Sequence, residues 1–133
     1  MTGTTIVVGW SPDEYGEVAL RRAVEEARLR EGRVVVVNAT RGDALVDERY
    51  ADEEQLGRLA EELGASGLEV DVRRSMGADV GDQVLAVAAE VSADLVVIGL
   101  RRRSPVGKLL MGSVAQRILL GAECAVLAVK PPA

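Results

Sequence analysis

The chain has 133 residues, of which 48% are hydrophobic and 28% are charged, which is typical of one globular domain spanning residues 1–133. Acidic residues outnumber basic residues by 21 to 16, and the formal net charge of −5 argues against nucleic acid or an anionic membrane as a partner. The chain contains no histidine, which excludes Ser-His-Asp and Cys-His catalysis and His-ligated zinc.

Five short apolar runs predict strands, in chain order at residues 6–8, 34–37, 70–72, 95–98 and Ala125–Val129. Most of these runs are β-branched and lack polar alternation, as expected for strands covered on both faces of a parallel sheet. The stretches between them carry apolar residues at helical spacing, namely Leu20, Ala23, Val24 and Ala27, then Leu56, Leu59, Ala60 and Leu63, then Val84, Val87, Ala88 and Val91.

Glycines mark the expected helix boundaries. We expect Gly32 to close the first helix and Gly64 the second, each in a left-handed conformation, and Gly112 with Ser113 to begin the last helix. Asp13 and Glu14 are expected to begin the first helix, where negative charge is favourable.

The strict alternation of strands and helices predicts an α/β fold: a single-domain, doubly wound, Rossmann-like sheet of five mostly parallel strands with helices on both faces. Ligands of such sheets bind outside the carboxyl ends of the strands, where the strand order reverses. Two loops are candidates for this position, residues 9–17 after the first strand and residues 99–113 after the fourth.

The second loop, "GLRRRSPVGKLLMGS", gathers positive charge beside glycines. Guanidinium groups, an ammonium group and the free N–H groups of a helix start suit a polyphosphate, and glycine lets backbone approach a ligand. Alternatively, the cations only keep a surface loop solvated, while Gly99 ends a strand and Ser113 caps a helix. The loop departs from the Walker A pattern, because Arg102 stands at its first glycine and Leu109 at its Ser or Thr.

Two segments, "IVVGWSPDEYGEVALRRAVEEA" and "ADLVVIGLRRRSPVGKLLMGSVAQRILLGAECAVLAVK", resemble the universal stress protein family, and the order of elements extends the likeness across nearly the whole chain. In the nucleotide-binding branch of that family, a motif G-x2-G-x9-G-[ST] follows the fourth strand and wraps the ribose and phosphates of ATP. Gly99, Gly112 and Ser113 match it in register, but Arg102 replaces its second glycine. Ser11 stands where ATP-binding members usually carry an aspartate near the ribose and adenine.

The resemblance implies strand order 3-2-1-4-5, binding of ATP or a related adenine nucleotide with or without Mg²⁺, and a homodimer paired through Ala125–Val129. We expect no catalytic residue and at most slow ATP hydrolysis, because no positioned general base is evident and the only nearby carboxylates are Asp13 and Glu14. No sequence feature indicates a membrane span or a secretory signal, so we expect a cytoplasmic protein. The nucleotide-binding residues expected are Gly9, Trp10, Ser11, Val37, Ile98, Gly99, Arg101, Arg102, Arg103, Ser104, Lys108, Gly112, Ser113 and Val114.

Several alternatives stay open. Arg102 and Ser11 are also consistent with an interaction module of the same fold that has lost its nucleotide site. A weak ATPase or phosphotransferase, or a nucleotide binder related to electron-transfer flavoproteins, would use the same fold. Trp10, at the end of the first strand, either stacks on a base or closes the core.

Overall fold

The computed structural model describes residues 3–40, 53–100 and 112–131, and within them five strands alternate with four helices. The elements are β1 (Thr5–Gly9), α1 (Glu14–Leu29), β2 (Arg33–Thr40), α2 (Glu53–Ala65), β3 (Val70–Met76), α3 (Val80–Glu90), β4 (Leu95–Gly99), α4 (Ser113–Gly121) and β5 (Ala125–Val129).

The strands form one sheet in the order β3-β2-β1-β4-β5, and each neighbouring pair is parallel. The predicted α/β fold and its strand order are therefore confirmed. Parallel pairing places the carboxyl ends of all five strands at one edge of the sheet. The helices begin at that edge and end at the opposite one, because each helix carries the chain back to start the next parallel strand.

The helices cover both faces of the sheet. Ile6 and Val8 pack with α1 and α2 on one face, whereas Val7, between them, packs with α3 and α4 on the other. The alternation follows from the two-residue period of a strand. All three side chains are fully buried, and each burial of this kind stabilises the fold by about 1.5–3 kcal/mol. The core is aliphatic, since the chain has no phenylalanine.

Gly112 and Ser113 begin α4 as predicted, but the glycine predictions for the carboxyl ends of α1 and α2 are wrong. Glu31, not Gly32, takes the left-handed conformation after α1 (φ 53°), and Gly67 takes it after α2 (φ 89°), while Gly64 lies inside α2. Gly32 serves another purpose: a Cβ at this position would lie 2.4 Å from the carbonyl oxygen of Thr4. Glycine is therefore required there for a close approach between two backbone segments.

No helix among the described residues combines the length and apolar character that a membrane span needs.

Candidate functional site

A cavity of about 410 Å³ lies at the carboxyl ends of β1, β2 and β4, beneath the first turns of α3 and α4. It occupies the point where the strand order reverses, since β1 lies between β2 and β4 and the chain leaves β1 toward β2 and later returns to β4. Small-molecule sites typically enclose about 300–1,000 Å³. The cavity is therefore large enough for a small ligand.

Nine of the residues predicted from the sequence line this cavity: Gly9, Trp10, Ser11, Val37, Ile98, Gly99, Gly112, Ser113 and Val114. The other five, Arg101, Arg102, Arg103, Ser104 and Lys108, lie outside the described residues. The structure adds lining residues that the sequence analysis did not identify: Tyr15, Gly16, Ala39, Asp79, Val80, Val84, Ala115 and Ile118. A signal for one of them existed, because Asp79 has the chemistry of a helix cap and precedes the third helical pattern.

The turn between β1 and α1 lines one side of the cavity with Ser11, Tyr15 and Gly16, and Asp13 holds this turn together. As predicted, Asp13 caps α1, and its Oδ1 accepts hydrogen bonds from Tyr15 N (3.1 Å) and Gly16 N (2.9 Å). The same oxygen accepts a hydrogen bond from Ser11 Oγ (2.8 Å). The Ser11 hydroxyl is therefore engaged by the helix cap.

Two glycines let this turn pack tightly. A Cβ on Gly16 would lie 1.8 Å from Ser11 O, and a Cβ on Gly99 would lie 2.4 Å from Tyr15 O. Gly99 is thus required by the contact between the end of β4 and α1, whatever the cavity holds. Gly9 differs, since a Cβ there would lie 3.6 Å from Ile98 Cγ2, an ordinary contact.

The sequence left open whether Trp10 contacts a ligand or closes the core, and its position in the structure is compatible with both roles. Its side chain belongs to the core on the α1 side and is only 7% exposed, yet it also lines the cavity. Its backbone is fixed to β2 by two bonds: Trp10 N donates to Val37 O (2.9 Å), and the buried Asn38 amide donates to Trp10 O (3.1 Å). The backbone of Trp10 is therefore held against β2, and its buried indole forms part of the cavity wall.

The helix ends at the cavity differ in how they are capped. The first turn of α1 is capped by Asp13 and that of α3 by Asp79, whose Oδ1 accepts from Asp82 N (2.8 Å). The cap of α4 is Gly112, an extended residue (φ −73°, ψ 167°) that has no side chain to accept hydrogen bonds from the free N–H groups. A helix start of this kind carries partial positive charge and favours an anion.

An ion pair joins the two helices that cover the cavity. Arg117 Nε on α4 donates to Asp82 Oδ1 on α3 at 2.5 Å, and this hydrogen bond raises the pKa of Arg117 above its ordinary value. Gly81 permits the approach, because a Cβ there would lie 2.9 Å from the Arg117 side chain. The starts of α3 and α4 are thus held beside each other.

Across residues 3–40, 53–100 and 112–131, no cluster of three or more cysteine, aspartate or glutamate side chains is arranged to hold a metal ion.

The doubly wound sheet with a ligand-sized cavity at its switch point places the protein among α/β proteins with a crevice for a small ligand. The model of the universal stress protein family matches residues 3–130. A universal stress protein of Mycolicibacterium smegmatis is 45% identical over 126 residues, which cover 95% of this chain and 97% of the relative. The chain belongs to the universal stress protein family.

Solved structures agree with this assignment. A universal stress protein from Archaeoglobus fulgidus superposes with a TM-score of 0.79 at 34% identity, with 96% of this chain and 98% of that chain covered. A structure of the universal stress protein from the same organism in complex with dAMP gives a TM-score of 0.72 at 31% identity, with 98% and 100% covered.

Proposed function

We propose that this protein binds an adenine nucleotide, ATP or a close relative, in the cavity at the carboxyl ends of β1, β2 and β4. The observation that carries the proposal is the start of α4, which lines the cavity with Gly112 as its cap and so offers backbone N–H groups to an anion. The dAMP complex of a family member at 31% identity supports a nucleotide as the ligand class.

The walls of the cavity suit the two halves of a nucleotide. Val37, Ala39 and Ile98 present apolar surface from the strands, which favours a base. Gly112 and Ser113 present the helix start, which favours phosphate. The protein as a whole is acidic, with a net charge of −5, so a phosphate needs such a local source of positive potential. The sequence places four further cations, Arg101 to Arg103 and Lys108, between β4 and α4.

We favour retained binding over a lost site because of how Ser11 is placed. Its hydroxyl bonds to Asp13 at 2.8 Å, and the small side chain leaves the cavity open at about 410 Å³. In this proposal Mg²⁺ accompanies the phosphates of ATP, and the function is binding in a stress-response role, with no catalytic residue assigned. We further propose that residues 1–133 act as one domain, in the cytoplasm.

The test compares Ser113→Pro with Ser113→Ala. Proline at the first helical residue removes one backbone N–H at modest structural cost, and the extended Gly112 suits the residue before a proline. Ser113→Ala removes the hydroxyl but keeps the N–H group. Equilibrium dialysis of labelled ATP and AMP, with and without Mg²⁺, measures the nucleotide affinity of both variants.

We expect saturable binding at one site per chain by the wild type, weakening with salt. We expect Ser113→Pro to weaken binding about tenfold, since a hydrogen bond to a charged group contributes about 1.5–3 kcal/mol. Ser113→Ala should bind more tightly than Ser113→Pro. Absence of nucleotide binding by the wild type at low salt would contradict the proposal and favour an interaction module.

We also propose a homodimer paired through β5. This strand is at the edge of the sheet beside β4, and Val126, Leu127, Ala128 and Val129 are only partly buried in the single chain. An apolar edge strand is prone to pair with another chain. Sedimentation equilibrium should give twice the chain mass, and a monomer at high micromolar concentration would contradict the pairing.

A further inference from the structure

Asp79 stands out among the described residues that line the cavity, because it is the one charged side chain of that set. It lies at the start of α3, exposed at the rim. The helix cap uses its Oδ1 for Asp82 N at 2.8 Å. A carboxylate has roughly four acceptor positions, so one such bond leaves it able to accept hydrogen bonds from a ligand.

The other carboxylate near the cavity, Asp13, is occupied differently. Its Oδ1 accepts from Ser11 Oγ, Tyr15 N and Gly16 N, which commits this oxygen to the turn before α1. Ser11 adds no acceptor charge, and its hydroxyl proton points at Asp13. A charged acceptor for a hydroxyl or amino group of a ligand must therefore come from another wall.

The two helix starts that border the cavity side by side differ in charge. Asp79 places negative charge at the start of α3, whereas Gly112 leaves the start of α4 with its partial positive charge. The Arg117–Asp82 bridge at 2.5 Å holds these helices together. A ligand with a hydrogen-bond donor at one end and an anion at the other fits in one orientation.

Resting on the proposed nucleotide function, we propose that Asp79 determines specificity at this site by accepting a hydrogen bond from the nucleoside half of the ligand, either from a sugar hydroxyl or from the amino group of the base. This contact turns the phosphates away from α3 and toward Gly112 and Ser113. The carboxylate repels phosphate, so it selects nucleosides carrying a donor over inorganic polyphosphate.

The test uses Asp79→Ser, with Asp79→Asn as a second variant, because both replacements are good helix caps and keep α3 intact. Urea unfolding checks that the fold is retained. Dissociation constants are measured for AMP, for its 2′-deoxy and 3′-deoxy forms, and for IMP, which lacks the amino group. Inorganic triphosphate is the probe for the anion end.

We expect Asp79→Ser to weaken AMP binding about tenfold, the loss of one charge-assisted hydrogen bond. The same variant should bind inorganic triphosphate as tightly as the wild type does, or more tightly. The affinity for the ligand that lacks the donor should differ little between the wild type and Asp79→Ser. That ligand identifies whether the donor group belongs to the sugar or to the base. In contrast, Ser113→Pro should weaken AMP and triphosphate alike.

The proposal is overturned if wild type and Asp79→Ser bind AMP equally, or if AMP and triphosphate weaken together in that variant. The proposed function survives both of these results. Failure of the wild type to bind any nucleotide would overturn the proposed function as well, so the two failures are distinguishable.

Discussion

The two ends of the sheet both carry an opening, and the larger opening is the poorer candidate for an anion. At the amino ends of the strands, a groove of about 1,020 Å³ is bordered by the turns that precede β2, β3 and β4. At the carboxyl ends, the cavity is only about 410 Å³. In a parallel sheet the helices end at the first opening and begin at the second, so partial negative charge gathers at one and partial positive charge at the other.

Hydrogen bonds strengthen this difference. In the amino-end groove, Asp94 Oδ2 accepts from Thr5 N at 2.9 Å and Arg33 Nε donates to Thr5 Oγ1 at 3.2 Å, so charged groups there hold the strands together. In the cavity, Gly112 has no side chain to occupy the start of α4. Topology and capping, more than volume, make the cavity the better candidate for an anionic ligand.

The strongest test of the carboxyl end is Gly16→Ala. A Cβ would lie 1.8 Å from Ser11 O, so the turn before α1 must move, and we expect a loss of about 3 kcal/mol in the free energy of unfolding. The matched control is Gly57→Ala on the exposed side of α2, where nothing lies within 4 Å. That change should stabilise the protein by about 0.5–1 kcal/mol. Urea denaturation measures both, and equal effects would contradict the packing argument.

Elements with strong local patterns were predictable from the sequence. The valine-rich runs of β1, β2 and β4 predicted buried parallel strands, and the position of the cavity followed from the topology they imply. Contacts between distant segments were not predictable. The sequence does not reveal that Gly99 meets Tyr15 O, that Gly32 is required by Thr4 O, or that Glu31 takes the left-handed conformation.

Asp79 was missed for a related reason. Its segment follows β3, whose three charged residues make it a weak strand pattern, and β3 is the edge strand farthest from β4. Only the packing of α3 across β1 and β2 brings Asp79 to the cavity. The basic residues from Arg101 to Lys108 lie outside the described residues, so their part in binding stays a prediction.

A second test concerns the departure at Ser11. Ser11→Asp introduces the aspartate that the family resemblance implies for ATP-binding members, and it would set a carboxylate beside Asp13, where Ser11 Oγ now donates to Asp13 Oδ1 at 2.8 Å. We expect a loss of about 1–2 kcal/mol in the free energy of unfolding at neutral pH relative to the uncharged Ser11→Asn, because like charges repel at this distance. Thermal and urea unfolding of both variants measure it. If Ser11→Asp were as stable as Ser11→Asn, the Ser11 hydroxyl would not be tied to the cap.

The smallest expected effect lies at the other end, where α1 finishes. Glu26 is only 9% exposed, and its carboxylate accepts hydrogen bonds from Arg30 and from Arg22, the latter at 3.3 Å. The bond from Arg30, followed by that from Arg22, holds the pKa of Glu26 below its ordinary value of 4.5 despite the opposing effect of burial.

A carboxyl group whose pKa is lower in the folded state stabilises the fold above its unfolded pKa, and this stabilisation is lost as the pH falls through the folded pKa. The free energy of unfolding of the wild type should therefore exceed that of Glu26→Gln at neutral pH and converge with it in acid. Urea midpoints across the acid range measure the difference, with Glu25→Gln, more exposed on the same helix, as the control. A gap between wild type and Glu26→Gln that stays constant with pH would mean that the arginine contacts do not act through the charge of Glu26.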